Sequence, residues 1–252
     1  MFSLEARVAL VTGAGQSVGA GIATVLARQG ATVIVNDLTI DRAEKVVAAI
    51  AEEGNHALAA GFDVTDLDAV SAHVRESEAA LGHHVDILVH NAGVALERTN
   101  KRFRELTPDQ WSPSIDLNLY GLLNTTRVVL DGMCDSGWGR IVQVSSGSAR
   151  TGQNIGVSMY AAGKSGGEGF MRHLAAEVGQ FGVTANILAL GHQKNLEEKM
   201  PPEMIDRILE TIPIGRLGDP IEVGAACGYL SSNEAGGLTG QTIDFNGGSQ
   251  TR

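Results

Sequence analysis

The sequence predicts an α/β fold: a doubly wound, seven-stranded parallel sheet flanked by helices on both faces, built as a single domain over 1–252. Three observations predict it. Short apolar runs alternate with longer helix-period segments along the whole chain, the pattern of parallel strands joined by crossover helices. Several runs, such as Val8-Ala9-Leu10-Val11 and Ile87-Leu88-Val89, are nearly continuous in apolar residues, as expected of strands covered on both faces. Most of the 32 glycines sit at the ends of those runs without forming a repeat, where turns and close backbone approaches are expected.

The first strand, Val8–Thr12, runs into Thr12-Gly13-Ala14-Gly15-Gln16-Ser17-Val18-Gly19-Ala20-Gly21 and a helix over 18–29. The second strand, Thr32–Asp37, precedes a helix over 41–53, and a strand at 57–63 precedes a helix over 66–81. A strand at 85–91 follows. The next helix, 108–134, opens on Thr107-Pro108-Asp109-Gln110, with the capping residue, first-turn proline and reciprocal glutamine of a helix start. Pro113 inside it should remove one backbone bond or bend the helix. Strand 140–145, helix 158–181, strand 184–190, helix Pro220–Leu230 and strand 242–246 complete the pattern. Residues 192–214 interrupt it: they are polar, contain Pro201, Pro202 and Pro213, and read as an inserted helical substrate flap with movable ends.

Composition excludes several classes. A formal charge of −10 and a pI near 5.1 argue against nucleic acid or an anionic membrane as the main partner. The seven histidines do not cluster apart from His83-His84, and Cys134 and Cys227 are too few and too far apart for a metal knuckle or a disulfide framework. The first seven residues lack a signal-peptide core, and no stretch approaches the ~20 apolar residues of a membrane span. A soluble, cytoplasmic protein is expected, with no metal.

Glycines at a strand-to-helix turn let the backbone approach a pyrophosphate seated on the helix N-terminus. Asp37, ending the second strand, is placed to accept hydrogen bonds from ribose hydroxyls and to repel a 2′-phosphate. Gln16 and Leu38 offer no positive charge for that phosphate. The expected cofactor is therefore NAD rather than NADP.

Tyr160 and Lys164 lie four residues apart in a helical segment, hence on one face, a turn apart. A phenol ordinarily ionises near pH ~10. A fixed positive charge beside it favours the phenolate, and a tyrosine so tuned exchanges protons near neutrality, as general acid–base chemistry requires.

These pieces occur in order with Asp63-Val64, Asn91-Ala92-Gly93, Asn118, Ser145-Ser146, Asn186, Gly240-Gln241 and Asn246-Gly247-Gly248. In this set, over essentially its whole length, the chain resembles the compact single-domain short-chain dehydrogenase/reductase family, which implies a Rossmann-like sheet. The resemblance implies a dinucleotide site formed by Gly13, Gln16, Ser17, Val18, Gly19, Asp37, Leu38, Asp63, Val64, Asn91, Ala92, Gly93 and Gly191, together with Tyr160 and Lys164. It implies catalysis by Asn118, Ser146, Tyr160 and Lys164. Tyr160 would be the acid–base, and Lys164 would hold the nicotinamide ribose and lower the tyrosine's pKa. Ser146 would bond the substrate oxygen, and Asn118 would hold a water that relays protons to solvent. Dimers or tetramers through the helices carrying Asn118 and Tyr160 and the C-terminal strand are common in the family.

The departures are specific. Ser17 replaces the middle glycine of the family loop, and Leu190-Gly191 replaces Pro-Gly. Asn195 stands where a threonine often contacts the nicotinamide amide. His90 precedes Asn91 where the family commonly has asparagine, and reads as a buried, hydrogen-bonded histidine. The family's serine spacing from Tyr160 lands on Gly147. Ser146 is preferred because residues 139–146 match the family strand without a gap, with Ser148 as the alternative.

The implied reaction is hydride transfer between NAD(H) and a secondary alcohol or ketone. The alternatives are a cofactor-binding regulatory protein without turnover and a non-redox lyase on the same fold. An enoyl reductase is disfavoured, since that branch spaces its tyrosine and lysine more widely. The substrate wall is expected from the 93–104 loop with Glu97 and Arg98, from Arg150, Gln153, Asn154 and Met159, and from the flap with His192, Gln193 and Met200.

Overall fold

The structure, a computed structural model, describes residues 1–93 and 101–251. Seven strands form one parallel sheet: β1 (Val8–Thr12), β2 (Thr32–Asp37), β3 (Ala57–Gly61), β4 (Ile87–His90), β5 (Gly139–Ser146), β6 (Val183–Leu190) and β7 (Thr242–Phe245). Their order is β3-β2-β1-β4-β5-β6-β7. The winding therefore reverses between β1 and β4, where Thr12 pairs with His90. A crevice at the carboxyl ends of the strands is expected at that reversal.

Successive strand side chains point to opposite faces, and the burial shows why the runs are apolar throughout. Ala9 and Val11 of β1 and Val33 and Val35 of β2 join a core with Ile22, Leu26 and Val223. Those three lie on the helices α1 (Ser17–Arg28) and α8 (Pro220–Leu230). Val8, Leu10 and Ile34 face the other way, into a core with Val70, Val74, Leu122, Val129, Met171 and Leu174. These come from α3 (Leu67–Leu81), α5 (Gly121–Ser136) and α6 (Ser158–Val178). Burying one such aliphatic side chain contributes about 1.5–3 kcal/mol.

Three predicted strands end earlier than expected: 57–63 stops at Gly61, 242–246 stops at Phe245, and 85–91 contracts to Ile87–His90. At the start of the last, the Asp86 carboxylate does other work, accepting from Arg7 Nη1 at 3.0 Å and from the Val8 amide at 2.9 Å. His83 and His84 gather around the same carboxylate, at the strand end opposite the crevice. Helix α2 (Ile40–Glu52) matches its prediction to within a residue.

The predicted helix over 108–134 is broken. Thr107 and Gln110 do form their reciprocal cap, but it closes only a 3₁₀ turn, Pro108–Gln110. A short α4 (Ser112–Ile115) then begins, a π turn follows over Asp116–Tyr120, and α5 continues from it. Pro113 lies in the first turn of α4, where its missing N–H leaves no bond unmade. The chain restarts a helix at Pro113 instead of bending one. The predicted helix at 158–181 ends as α at Val178 and finishes in a 3₁₀ turn, Gly179–Phe181.

Residues 192–214 carry a 3₁₀ turn at Lys194–Leu196 and a helix α7 (Pro202–Leu209). Leu196, Ile205, Ile212 and Leu217 form a small separate core beneath this segment. Among the described residues, no helix is long and apolar enough to cross a membrane.

Candidate active site

At the reversal point the β1–α1 turn is built on positive φ angles: +59° at Gly13 and +51° at Ser17. Glycine takes that conformation freely, whereas a serine is strained in it. Polar strand-end residues hold the turn. Thr12 Oγ1 accepts the amides of Asn91 and Ala92, each at 3.1 Å, and Asn91 Nδ2 donates to the carbonyls of Thr12 and Gly13. Buried Asn36 donates to the carbonyls of Ala60 and Phe62 and accepts from the Gly13 amide at 3.4 Å. Sequence reasoning did not single out Thr12 or Asn36 as organisers. Their only signal is a polar residue at the end of an apolar run.

Asp37 is 6% exposed, with Oδ2 accepting the Gly15 amide at 3.2 Å and Oδ1 accepting the Thr39 amide at 3.1 Å. Arg42 Nη1 lies 3.9 Å from Asp37 Oδ1. Gln16 and Leu38 bring no charge here, and the first turn of α2 adds a cation that the sequence reading did not consider, Arg42. Leu38 is exposed, as is Asp63, whose carboxylate caps Thr65, while Val64 is buried. Gly191 follows Leu190, the register partner of Ser146, and packs on Asn246.

These residues fit a dinucleotide. Ser17 Oγ is buried with no partner, in a turn whose glycines leave the backbone bare at the N-terminus of α1. An oxygen so placed gains a hydrogen-bond partner when a phosphate arrives.

The second half of the site lies where α6 crosses the end of β5. Tyr160 is 8% exposed, with the Ser146 hydroxyl close enough to act on its phenol. Ser146 Oγ also accepts the Ser148 amide at 3.2 Å, while the Ser148 hydroxyl turns away to Gln153 Oε1 at 3.1 Å. Lys164 is 3% exposed and donates from Nζ to the Val144 carbonyl at 2.8 Å. Asn118 sits in the π turn, a local distortion frequent at functional sites. Its Nδ2 donates to the Ser114 carbonyl at 2.8 Å, and its Oδ1 is buried without a partner. A Cβ built on Gly93 would stand 3.0 Å from Asn118 Oδ1 and 3.2 Å from Lys164 Nζ. Asn118, Ser146, Tyr160, Lys164 and Gly93 thus converge on one point. Glu97 and Arg98 lie outside the described residues, as does most of the 93–104 loop.

Burial pushes the Tyr160 phenol up, and the neighbouring Ser146 hydroxyl opposes the shift. The sequence expectation was the reverse, a phenol lowered by Lys164. Burial also takes the Lys164 ammonium down, to about 8, with Glu168 acting against the fall. The lysine is directed at Val144, and water that would screen the phenolate is excluded from both groups.

His90 is fully buried. Its Nδ1 lies 3.3 Å from Thr12 Oγ1 and 3.2 Å from Thr125 Oγ1, and its Nε2 is buried without a hydrogen-bond partner. Burial, reinforced by the Lys164 charge, takes the imidazole from 6.5 down to about 3. An unfolded chain takes up a proton that the folded one refuses. His90 thus supports folding fully above pH 6.5 and loses that support as pH falls towards 3. His90→Asn should flatten the fall in melting temperature between those limits, measured by circular dichroism across pH. An unchanged acid profile would contradict this.

Two cavities flank the site. One, of about 590 Å³, is lined by Arg102, Phe103, Ser148, Gln153, Val157 and Ala161. The other, of about 500 Å³, lies between the 192–214 segment, α8 and β7, with His192, Gln193, Ile214, Arg216 and Phe245 on its walls.

Comparison with known proteins agrees with this geometry. The family model described as enoyl-(acyl carrier protein) reductase matches residues 13–250. Acetoacetyl-CoA reductase from Shinella zoogloeoides is 39% identical over 96% of this chain and 98% of its own. A 3-oxoacyl-(acyl-carrier protein) reductase from Brucella melitensis, solved with bound NAD, superposes with a TM-score of 0.90. It is 34% identical, over 98% of this chain and 92% of its own. A gluconate 5-dehydrogenase from Burkholderia cenocepacia, in complex with NADP and tartrate, gives a TM-score of 0.91 at 30% identity, over 98% and 96% of the two chains.

Proposed function

This chain belongs to the short-chain dehydrogenase/reductase family, and from that premise we propose that it transfers hydride between NAD(H) and a secondary alcohol or its ketone. At the coarser level it is an oxidoreductase acting on hydroxyl or keto groups. The observation that carries the finer reading is the convergence of Ser146, Tyr160, Lys164 and Asn118 beside the β1–α1 turn.

The nicotinamide supplies or accepts the hydride when bound. The β1–α1 turn with Ser17 would hold its phosphates, and Asp37 its adenosine ribose. Tyr160 gives a proton to the substrate oxygen during reduction and takes it back during oxidation. Ser146 donates to the same oxygen and stabilises the charge developing there, an oxyanion-hole type of contribution. Ser146 is chosen over Ser148 because its hydroxyl meets Tyr160 while that of Ser148 meets Gln153. Lys164 keeps a positive charge beside the phenol, and the free Oδ1 of Asn118 is placed to hold a relay water.

A second cofactor reading has its own observation. Arg42, beside Asp37, is a cation that NADP's 2′-phosphate would seek. NAD is preferred because Asp37 is the more buried partner and its carboxylate is fixed by two amides. Fluorescence titration with NADH and NADPH decides. NADH should bind at least tenfold more tightly, about 1.4 kcal/mol. Tighter binding of NADPH would overturn the choice. A substrate panel with the preferred cofactor then follows, led by 3-oxoacyl thioesters, sugar acids and hydroxysteroids.

The same reading makes 192–214 a substrate cover, the protein cytoplasmic, and the assembly a homodimer or homotetramer. Exposed Trp111, Tyr120 and Phe181, on or near the elements that carry Asn118 and Tyr160, support self-association.

A further inference from the structure

We infer that Glu168 is a positioning residue for the site: its buried carboxylate, pinned to β5 by Ser145, keeps Lys164 in its charged form beside Tyr160. The inference rests on the hydride-transfer reading for its consequence in catalysis, but not for the charge on the lysine.

Lys164 is 3% exposed and reaches one backbone carbonyl, that of Val144. An ammonium with so little solvent is expensive to keep charged unless an opposite charge is near. Glu168 lies four residues on in the same helix, hence on the same face one turn away. A carboxylate on a helix surface is ordinarily solvated, yet Glu168 is 5% exposed. Its Oε1 accepts from Ser145 Oγ at 2.7 Å, and Ser145 is itself buried.

Three successive residues of β5 therefore engage three successive turns of α6. Ser146 meets Tyr160, the Val144 carbonyl meets Lys164, and Ser145 meets Glu168. Of these, only the Glu168 contact brings a formal charge opposite to the lysine's. Tyr160 shares the helix face and His90 approaches from β4, and neither is anionic near neutrality, one being a raised phenol and the other a neutral imidazole. Arg172 sits 3.8 Å from Glu168 Oε2 and is half exposed. A surface ion pair with Arg172 is therefore the competing account of why Glu168 is there.

Glu168→Gln separates the two, because glutamine keeps an oxygen for Ser145 and removes only the charge. On the cofactor-free protein, the Lys164 side chain is followed by nitrogen-15 NMR against pH and assigned with Lys164→Arg. The lysine should titrate about one unit lower in Glu168→Gln, the lower end of the effect of an opposite charge at close range. For ketone reduction, the alkaline limb of kcat should move down by a similar amount with KM little changed. Arg172→Ala should leave both where they were. Ser145→Ala, which keeps the charge but frees the carboxylate, should lower the titration by a smaller step. It is the informative variant if Glu168→Gln does not fold.

An unmoved Lys164 titration in a folded Glu168→Gln protein, or in Ser145→Ala if that is the one that folds, would overturn the inference. So would Arg172→Ala reproducing the shift. If the wild-type protein turned over no substrate, the functional reading would fail while the lysine titration still decided this one.

Discussion

Tyr160→Phe should lower kcat for ketone reduction by a factor of about 10³, within the range general acid–base catalysis ordinarily supplies. The ring is buried and stays in place, so its packing survives. What disappears is the hydroxyl beside Ser146 that delivers the proton in the proposed reaction. Losing one buried hydroxyl's hydrogen bonding costs about 1 kcal/mol of stability, too little to unfold the domain. The direction of the phenol's shift sharpens the expectation. Because burial holds Tyr160 above an ordinary phenol, the group is protonated at neutral pH and already loaded for reduction. Oxidation needs the phenolate, so its rate should climb with pH where reduction does not. Steady-state NADH consumption, with fluorescence titration and thermal melting alongside, separates lost chemistry from lost binding. NADH affinity should remain near wild type. Turnover that survives the substitution would remove Tyr160 from the reaction and the proposed function with it.

What could be read without the structure follows from how local each cause is. The sheet was legible because a strand buried on both faces has to be apolar at every position, as Val8 to Val11 are. The Tyr160–Lys164 pair was legible because helix geometry alone puts those residues on one face. The π turn at Asp116–Tyr120 was not. Pro113 flags a break only at its own position and nothing in 116–120 flags a π turn, which lies where α6 presses in, with Gly163 against the Ser114 carbonyl and Asn118 Cβ. Only glycine permits that approach, and its partner is 45 residues away in sequence. The direction of Lys164 was hidden for the same reason: it depends on which carbonyl of β5 the helix happens to cover. Arg42 escaped notice because five positions separate it from Asp37, and only the first turn of α2 closes the distance. Thr12 and Asn36 look like ordinary strand-end polar residues until their partners are known.

Gly19→Ala should damage the cofactor half of the site as severely as Tyr160→Phe damages the catalytic half, and by a different route. A Cβ at Gly19 would stand 2.2 Å from the Gly13 carbonyl oxygen and 2.6 Å from Asn91 Nδ2. The first is backbone, and the second holds that backbone through bonds to the Thr12 and Gly13 carbonyls. Neither can swing aside as the end of a flexible side chain would. The helix must withdraw from the turn, or the Asn91 clamp must open. Overpacking of this kind costs roughly 3 kcal/mol, and in a domain of this size that lowers the melting temperature by about 10 °C. The same displacement moves the amides at the start of α1, where an anion would sit, so NADH affinity should fall at least tenfold. Gly179→Ala is the matched control: nothing lies within 4 Å of a Cβ there, and its φ of −56° suits any residue. Alanine replacing glycine at such a position tends to stabilise, by restricting the unfolded chain. If both variants melted and bound NADH alike, the contact between α1 and the Gly13–Asn91 clamp would not govern the site. A loss confined to Gly19→Ala would show that the turn works because α1 comes closer to it than any side chain allows.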